Sequence, residues 1–220
     1  MPTPSDTAPG RKGTTLRDRD VRQALHGKVL REHHGDQNTL VLDELGLRHG
    51  ASRVDIAVVN GFLHGYEIKS DADTLERLEG QIATYNAVLD RVTLVVGEKH
   101  LSKATIQVPE WWGIKVVAQG PRGGIAFDSA RTPAMNPAID PLALAELLWR
   151  PEAIQVLADR GVEPRQLRQP RAALYRTLVE IVSLNELRDL VRQHLKARER
   201  WRGLRPPSSD GDLSKPTPTS

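Results

Sequence analysis

Two apolar spacings take turns along the chain, one of three to four residues and one of two, and their order predicts the architecture. Residues 17 to 31 carry Val21, Leu25 and Leu30 among Arg, Asp and Lys, the stripe of an amphipathic helix with Asp18 or Asp20 near its start. His33-His34-Gly35-Asp36 reads as the loop that ends it. Residues 39 to 47, TLVLDELGL, alternate loosely and predict a first strand. The β-branched and aromatic runs Val54 to Val59 and Phe62 to Ile68 meet at Asn60-Gly61, a dipeptide that accepts positive φ at both positions and signals a hairpin. Leu75, Leu78, Ile82, Tyr85 and Leu89 then recur at helical steps, predicting a helix over 74 to 89 with Asp73 and Glu76 at the spacing of a capping box. Arg91 to Val96 is a continuous apolar run, as in a strand covered on both faces. A short helix at Lys99 to Gln107, a turn at Pro109 to Gly113, a strand at Ile114 to Ala118 and a short edge strand at Ile125 to Phe127 complete the pattern. The expected fold is α/β, a mixed sheet flanked by helices and followed by a C-terminal helical region.

The register of the hairpin decides which side chains meet. A two-residue loop at Asn60 and Gly61 pairs Asp55 with Tyr66 and mixes the apolar faces. One extra residue, in a three-residue loop or a bulge, places Asp55, Ala57 and Val59 on one face with Leu63, Gly65, Glu67 and Lys69. The second pattern is the one a buried sheet selects, and small Ala57 and Gly65 would then leave room above the carboxylates.

The composition divides the chain. Hydrophobic residues make up 39% of 220 positions, enough for a core, and the absence of cysteine removes disulfides and thiolate metal sites. No stretch reaches the length of a membrane span or a signal-peptide core, so a cytoplasmic location without membrane contact is expected. Residues 1 to 14 and 205 to 220, rich in Pro, Ser and Thr, are expected to be disordered tails. Between them a domain over 15 to 128 precedes a Pro- and Gly-rich linker over 129 to 139 and a basic helical region over 140 to 204. Asp140-Pro141 and Ser183 with Glu186 are its helix-start signals. The net charge of +3 says little alone, but residues 165 to 205 hold eleven Lys or Arg against four Asp or Glu. Arg165, Arg168 and Arg171 there are candidates for backbone phosphate contacts with nucleic acid, against the alternative of a solvated surface.

Two carboxylates brought within a few ångströms repel unless a hard cation lies between them, and Mg²⁺ is commonly held by one or two carboxylates with water and phosphate. On that ground Asp55→Asn is expected to stabilise the metal-free fold. A neighbouring lysine can orient a water molecule or stabilise a phosphate oxygen. The alternative is a hairpin with solvated charges at its rim.

Asp55 followed by Glu67-Ile68-Lys69, with Gly50 five residues before the Asp and Gln81-Ile82-Ala83-Thr84-Tyr85 after it, resembles the PD-(D/E)XK (restriction-endonuclease-like) nuclease superfamily and its RecB-like branch. The likeness spans roughly residues 15 to 120 and is greatest to small, stand-alone, uncharacterised bacterial members. It implies a restriction-endonuclease-like core and a Mg²⁺- or Mn²⁺-dependent hydrolase of nucleic acid, with DNA the expected substrate. Asp55 and Glu67 would hold the metal, Lys69 would position water, and Gln81 and Tyr85 would complete the site. Tyr85 on an apolar stripe is otherwise core packing. The resemblance also implies an acidic residue ahead of Asp55, for which Glu44 is the choice because Asp43 shares a face with Val41, Leu45 and Leu47; the alternative is a rim carboxylate. Residues 151 to 182 resemble, in composition, a SAP-type DNA-binding helical hairpin. The competing reading is a catalytically idle module of the same fold that binds nucleic acid or a protein partner.

Overall fold

The structure, a computed structural model, describes residues 16–120 and 123–202, so both expected tails lie outside the described residues. The chain divides into two compact units, one up to Ala143 and one from Leu144. The first is built on a six-stranded sheet in sequential order: β1 (Leu40–Leu47), β2 (Ser52–Val59), β3 (Leu63–Lys69), β4 (Arg91–Gly97), β5 (Gly113–Gln119) and β6 (Ile125–Arg131). β3, β4 and β5 run parallel, and the β1–β2, β2–β3 and β5–β6 pairs are antiparallel. Helices α1 (Asp18–Ala24), α2 (Arg31–Gly35), α3 (Leu78–Val88) and α4 (Leu101–Gln107) flank it. The fold is therefore α/β with a mixed sheet, as the periodicities predict. No helix among the described residues is long and apolar enough to cross a membrane.

A π-helical turn at Leu25–Val29 continues α1, closed by Leu30 N–H donating to Leu25 O at 2.9 Å. Five residues advance about 140° in excess of a full turn in an α-helix, which would carry Leu30 off the buried face. The wider turn returns it, and Val21, Leu25 and Leu30 all pack on Ile56, Val58, Tyr66 and Ile68 of the sheet. His33 and His34 belong to α2 rather than to a loop.

Leu63, Gly65 and Glu67 alternate onto the other face, where α3 lies. A Cβ on Gly65 would come 2.6 Å from Leu89 Cδ1, so this glycine seats the end of α3. The space expected above the carboxylates is, at this position, filled by Leu89. Trp112 is fully buried, donates from Nε1 to Asn86 Oδ1 at 2.9 Å and stacks on Tyr85, so it belongs to the core.

Three local expectations change. Asp73 does not cap α3, which starts only at Leu78; its Oδ2 accepts Ser70 N–H at 2.8 Å and Ser70 Oγ–H at 2.6 Å, tightening the turn after β3. β6 reaches Arg131, so the first residues expected as linker are strand. The remainder is a strap, because Asn136 Nδ2 donates to Asn86 O and Leu89 O at 2.7 and 2.9 Å and Asp140 N–H donates to Ala87 O at 3.0 Å. Prolines kept this stretch out of regular structure without freeing it from the sheet unit.

Beyond α5 (Pro141–Ala145), whose start Asp140 caps through Leu142 N–H, the second unit contains α6 (Arg150–Ala158), α7 (Arg171–Ile181) and α8 (Leu184–Arg202). Ser183 Oγ accepts Glu186 N–H at the start of α8. Glu152 ties the unit together, accepting Trp149 N–H at 2.7 Å and Arg198 Nε–H at 2.7 Å, with a second pairing to Arg198 Nη2. Burial alone would raise the Glu152 carboxyl, but Arg198, Trp149 N–H and His194 outweigh it and hold the group below its ordinary range. A depressed folded-state value stabilises above the unfolded-state pKa and is lost as pH falls through the folded one. Glu152→Gln should therefore cost about 1.5–3 kcal/mol at pH 7 by urea denaturation, and the gap to wild type should close as the pH drops below about 4.

Candidate active site

Val59 pairs with Leu63, so the hairpin loop has three residues, Asn60, Gly61 and Phe62, with Asn60 Oδ1 accepting Phe62 N–H at 3.1 Å. Ala57 then pairs with Gly65, which brings Asp55 into phase with Glu67, the register that the apolar faces favour. The β2–β3 ladder stops at Ile56 and Tyr66. Asp55 and Glu67 are the next residues, placed where the strands part. Asp55 Oδ2 reaches across the gap and accepts Ile68 N–H at 2.7 Å. On the far side, Gly50 with φ 88 follows Arg48 and His49, both also left-handed, and this run turns β1 into β2.

Glu67 is 1% exposed and receives three side-chain donors. Lys69 Nζ lies 2.5 Å from Oε1, Gln81 Nε2 donates to Oε1 at 2.6 Å, and Tyr85 Oη donates to Oε2 at 2.6 Å. Lys69 is on the same strand two residues on, and Gln81 and Tyr85 are one turn apart on α3. Tyr85 Oη is also 2.6 Å from Arg53 O, so one hydroxyl proton serves the strand carbonyl and the carboxylate. Tyr85 is thus both core and site. Burial and the Asp55 charge push the Glu67 carboxyl up against the opposing pull of Lys69 and Tyr85. Burial and Glu67 likewise push the Tyr85 phenol up, keeping it a donor.

Asp55 is held differently. Arg22 of α1 donates from Nη1 to Asp55 O at 2.7 Å and from Nη2 to Asp55 Oδ1 at 2.8 Å, and the same Nη2 lies 3.0 Å from Glu44 Oε1 and 3.4 Å from Asp18 Oδ2. Glu44 has φ 56, which breaks the alternation of β1. Asp43 and Glu44, expected on opposite faces, both meet the first helical segment, Asp43 through His26 Nε2 at 2.9 Å. No motif in the sequence singles out Arg22. Its one local signal is the i, i+4 spacing from Asp18, which says nothing of Asp55.

A cavity of about 750 Å³ opens over this cluster, and Glu44, Asp55, Glu67, Ile68, Lys69 and Gln81 are among the residues that line it. Among the described residues no group of three acidic or histidine side chains is placed to hold a metal ion, and the point where Asp18, Glu44 and Asp55 come together is occupied by Arg22. Two carboxylates remain as hard oxygen donors. Each carboxylate oxygen offers two lone pairs, and the contacts above leave one on each Asp55 oxygen and one on Glu67 Oε2. Gln81 Oε1 is buried without a partner among the described residues, an acceptor available to bound water. This donor set fits a Mg²⁺-like cation that retains water and takes phosphate oxygens. Arg165, Arg168 and Arg171 lie in the second unit, all exposed, Arg165 and Arg168 around the short turn Gln166–Arg168 and Arg171 at the head of α7.

A Silicibacter pomeroyi protein of unknown function with a solved structure matches at 16% identity, over 92% of this chain and 97% of that one, with a TM-score of 0.39. Protein cII of Enterobacteria phage P4 is 26% identical over 187 residues, 83% of this chain and 68% of that protein. The family model described as Bacteriophage P4 protein cII matches residues 11–203, from ahead of α1 to the end of α8. The chain belongs to the Bacteriophage P4 protein cII family.

Proposed function

We propose that the protein is a metal-dependent nuclease that hydrolyses phosphodiester bonds, with DNA the expected substrate and Mg²⁺ or Mn²⁺ the expected cofactor. The observation that carries this reading is the convergence of Lys69, Gln81 and Tyr85 on Glu67, beside Asp55, at an open cavity. The resemblance to the PD-(D/E)XK superfamily, RecB-like branch, rests on the same residues. The family takes its name from a phage protein, and that name states no chemistry. A buried Lys–Glu pair can be structural, but a structural pair needs neither an adjacent carboxylate nor a donor amide whose own oxygen is left unsatisfied.

A divalent cation bound by Asp55 and Glu67 would supply Lewis acidity toward a phosphate oxygen and lower the pKa of water. Lys69 keeps one N–H on Glu67 and has two more, suited to holding the attacking water and a phosphate oxygen. Gln81 fixes Glu67 with its amide N–H and offers Oε1 to the water's proton. Tyr85 anchors Glu67 to β2 through Arg53 O. Arg165, Arg168 and Arg171 would add phosphate contacts that read no base. A second reading, a binding module without turnover, is favoured by one feature, the Arg22 guanidinium already neutralising Asp55.

A panel of labelled single- and double-stranded DNA and RNA with Mg²⁺ or Mn²⁺ tests the reading, and no cleavage of any member would leave the binding module in its place. Lys69→Ala should reduce cleavage on the order of 10²- to 10³-fold while nucleic-acid affinity persists. Asp55→Asn should abolish metal-induced thermal stabilisation. It should also destabilise the metal-free protein by about 1–3 kcal/mol, the reverse of the expectation from carboxylate repulsion, because the Arg22 pair is lost. Replacing Arg165, Arg168 and Arg171 together should lower the slope of log affinity against log salt by about 0.7–0.9 per lost contact. An unchanged slope in that titration would place the phosphate contacts on another surface.

A further inference from the structure

Arg22 is the least expected member of the cluster. Its Nη2 has three carboxylates around it, Asp55 at 2.8 Å, Glu44 at 3.0 Å and Asp18 at 3.4 Å, and its side chain is only 19% exposed. Three carboxylates so close to one point repel strongly without a cation among them. Burial disfavours the guanidinium's charge, but Asp55, Asp18 and Glu44 more than offset this and keep it protonated. The cavity lining itself carries five carboxylates, Asp18, Glu44, Asp55, Glu67 and Asp73, against three cations, Arg53, Lys69 and Arg77. Arg22 approaches from outside that lining. It neutralises Asp55 without filling the space on the cavity side.

The two candidate cation ligands are therefore treated unequally. Lys69, fixed on the same strand, accompanies Glu67 in every state of the hairpin. Arg22 reaches Asp55 across 33 residues of sequence, and with Nη1 on the Asp55 carbonyl its Nη2 can pass between neighbouring carboxylates without altering any strand pairing. We infer that Arg22 is the resident counter-cation of Asp55 in the metal-free protein and that a divalent cation competes with it for that carboxylate. Metal binding then loosens Arg22 from Asp55, leaving its guanidinium to Glu44, Asp18 or an incoming phosphate. The opposite arrangement, in which Arg22 orients Asp55 for the metal, predicts the reverse effect of removing it.

The inference rests on the metal-site part of the proposed function and not on turnover. Mn²⁺ titrations by calorimetry on the full chain, wild type against Arg22→Gln and Arg22→Lys, test it. Arg22→Gln should bind Mn²⁺ about tenfold tighter or more, since a unit charge beside the ligand is removed. Its metal-free melting temperature should fall and be recovered by Mn²⁺. Arg22→Lys, which keeps the charge, should bind as wild type does. Unchanged or weaker Mn²⁺ binding by Arg22→Gln, including no binding by either protein, overturns the inference. If Arg22→Gln does not fold, the arginine Nε–H spectrum of the wild type decides: saturating Mg²⁺ should shift the Arg22 signal, and a signal that stays put overturns it. The nuclease reading fails separately, if Mn²⁺ binds as described and no nucleic acid is cut.

Discussion

The parting of β2 from β3 after Ile56 and Tyr66 is the feature on which the site depends. A ladder that continued would satisfy the strand's backbone groups with one another and leave Asp55 and Glu67 as ordinary cross-strand neighbours, with like charges opposed. Because it stops, an acceptor for Ile68 N–H has to come from elsewhere, and Asp55 Oδ2 provides it. The same opening exposes Arg53 O, which Tyr85 Oη reaches. One interruption thus gives two side chains fixed backbone anchors, and both end on the Glu67 carboxylate or beside it. Positioning of this kind costs little in side-chain freedom when the groups bind, since it is already spent in folding.

Glu67 shows how the sheet holds a buried charge. A carboxylate at 1% exposure is tolerated only with near-complete compensation. Lys69 supplies opposite charge, and Gln81 and Tyr85 supply hydrogen bonds from α3. Those two helix residues are held in turn by packing, Tyr85 against Trp112, whose indole is fixed by Asn86 of the same helix. The strap through Asn136 closes the end of α3 on its carbonyls. The polar site is therefore only as rigid as an apolar contact and a strap far from it in sequence.

Much of this was legible because it is local. The three-residue loop follows from Asn60-Gly61 together with the requirement that the apolar faces of both strands agree, and the pairing of Glu67 with Lys69 follows from a two-residue spacing. Gln81 and Tyr85 could be placed on one helix face from their spacing. Three features had no such rule. The left-handed φ of Glu44 cancels the alternation that assigned Asp43 and Glu44 to opposite faces, and no residue preference marks a glutamate for that conformation. Prolines at 133 and 137 signal irregular backbone but not whether that backbone is a linker or a strap. Arg22 and Asp55 meet only because α1 docks on the sheet, a contact that periodicity implies without fixing its register.

That last point separates the two cations of the site. Lys69 and Glu67 stay paired as long as β3 exists, because both ride on one strand. The Arg22 contact requires α1 to be seated, and α1 is seated by Val21, Leu25 and Leu30 on Ile56, Val58, Tyr66 and Ile68. Leu30 joins that set only through the π-helical turn, which realigns it with Leu25. π-Turns carry a cost relative to continuous α-helix and persist where something else compensates. Here the burial of Leu30 is the compensation, and the position of Arg22 over Asp55 is the consequence. The charge balance at Asp55 is thereby coupled to the packing of an apolar helix face on the opposite side of the sheet from α3, whereas Glu67 carries its own counter-charge, Lys69, on the same strand.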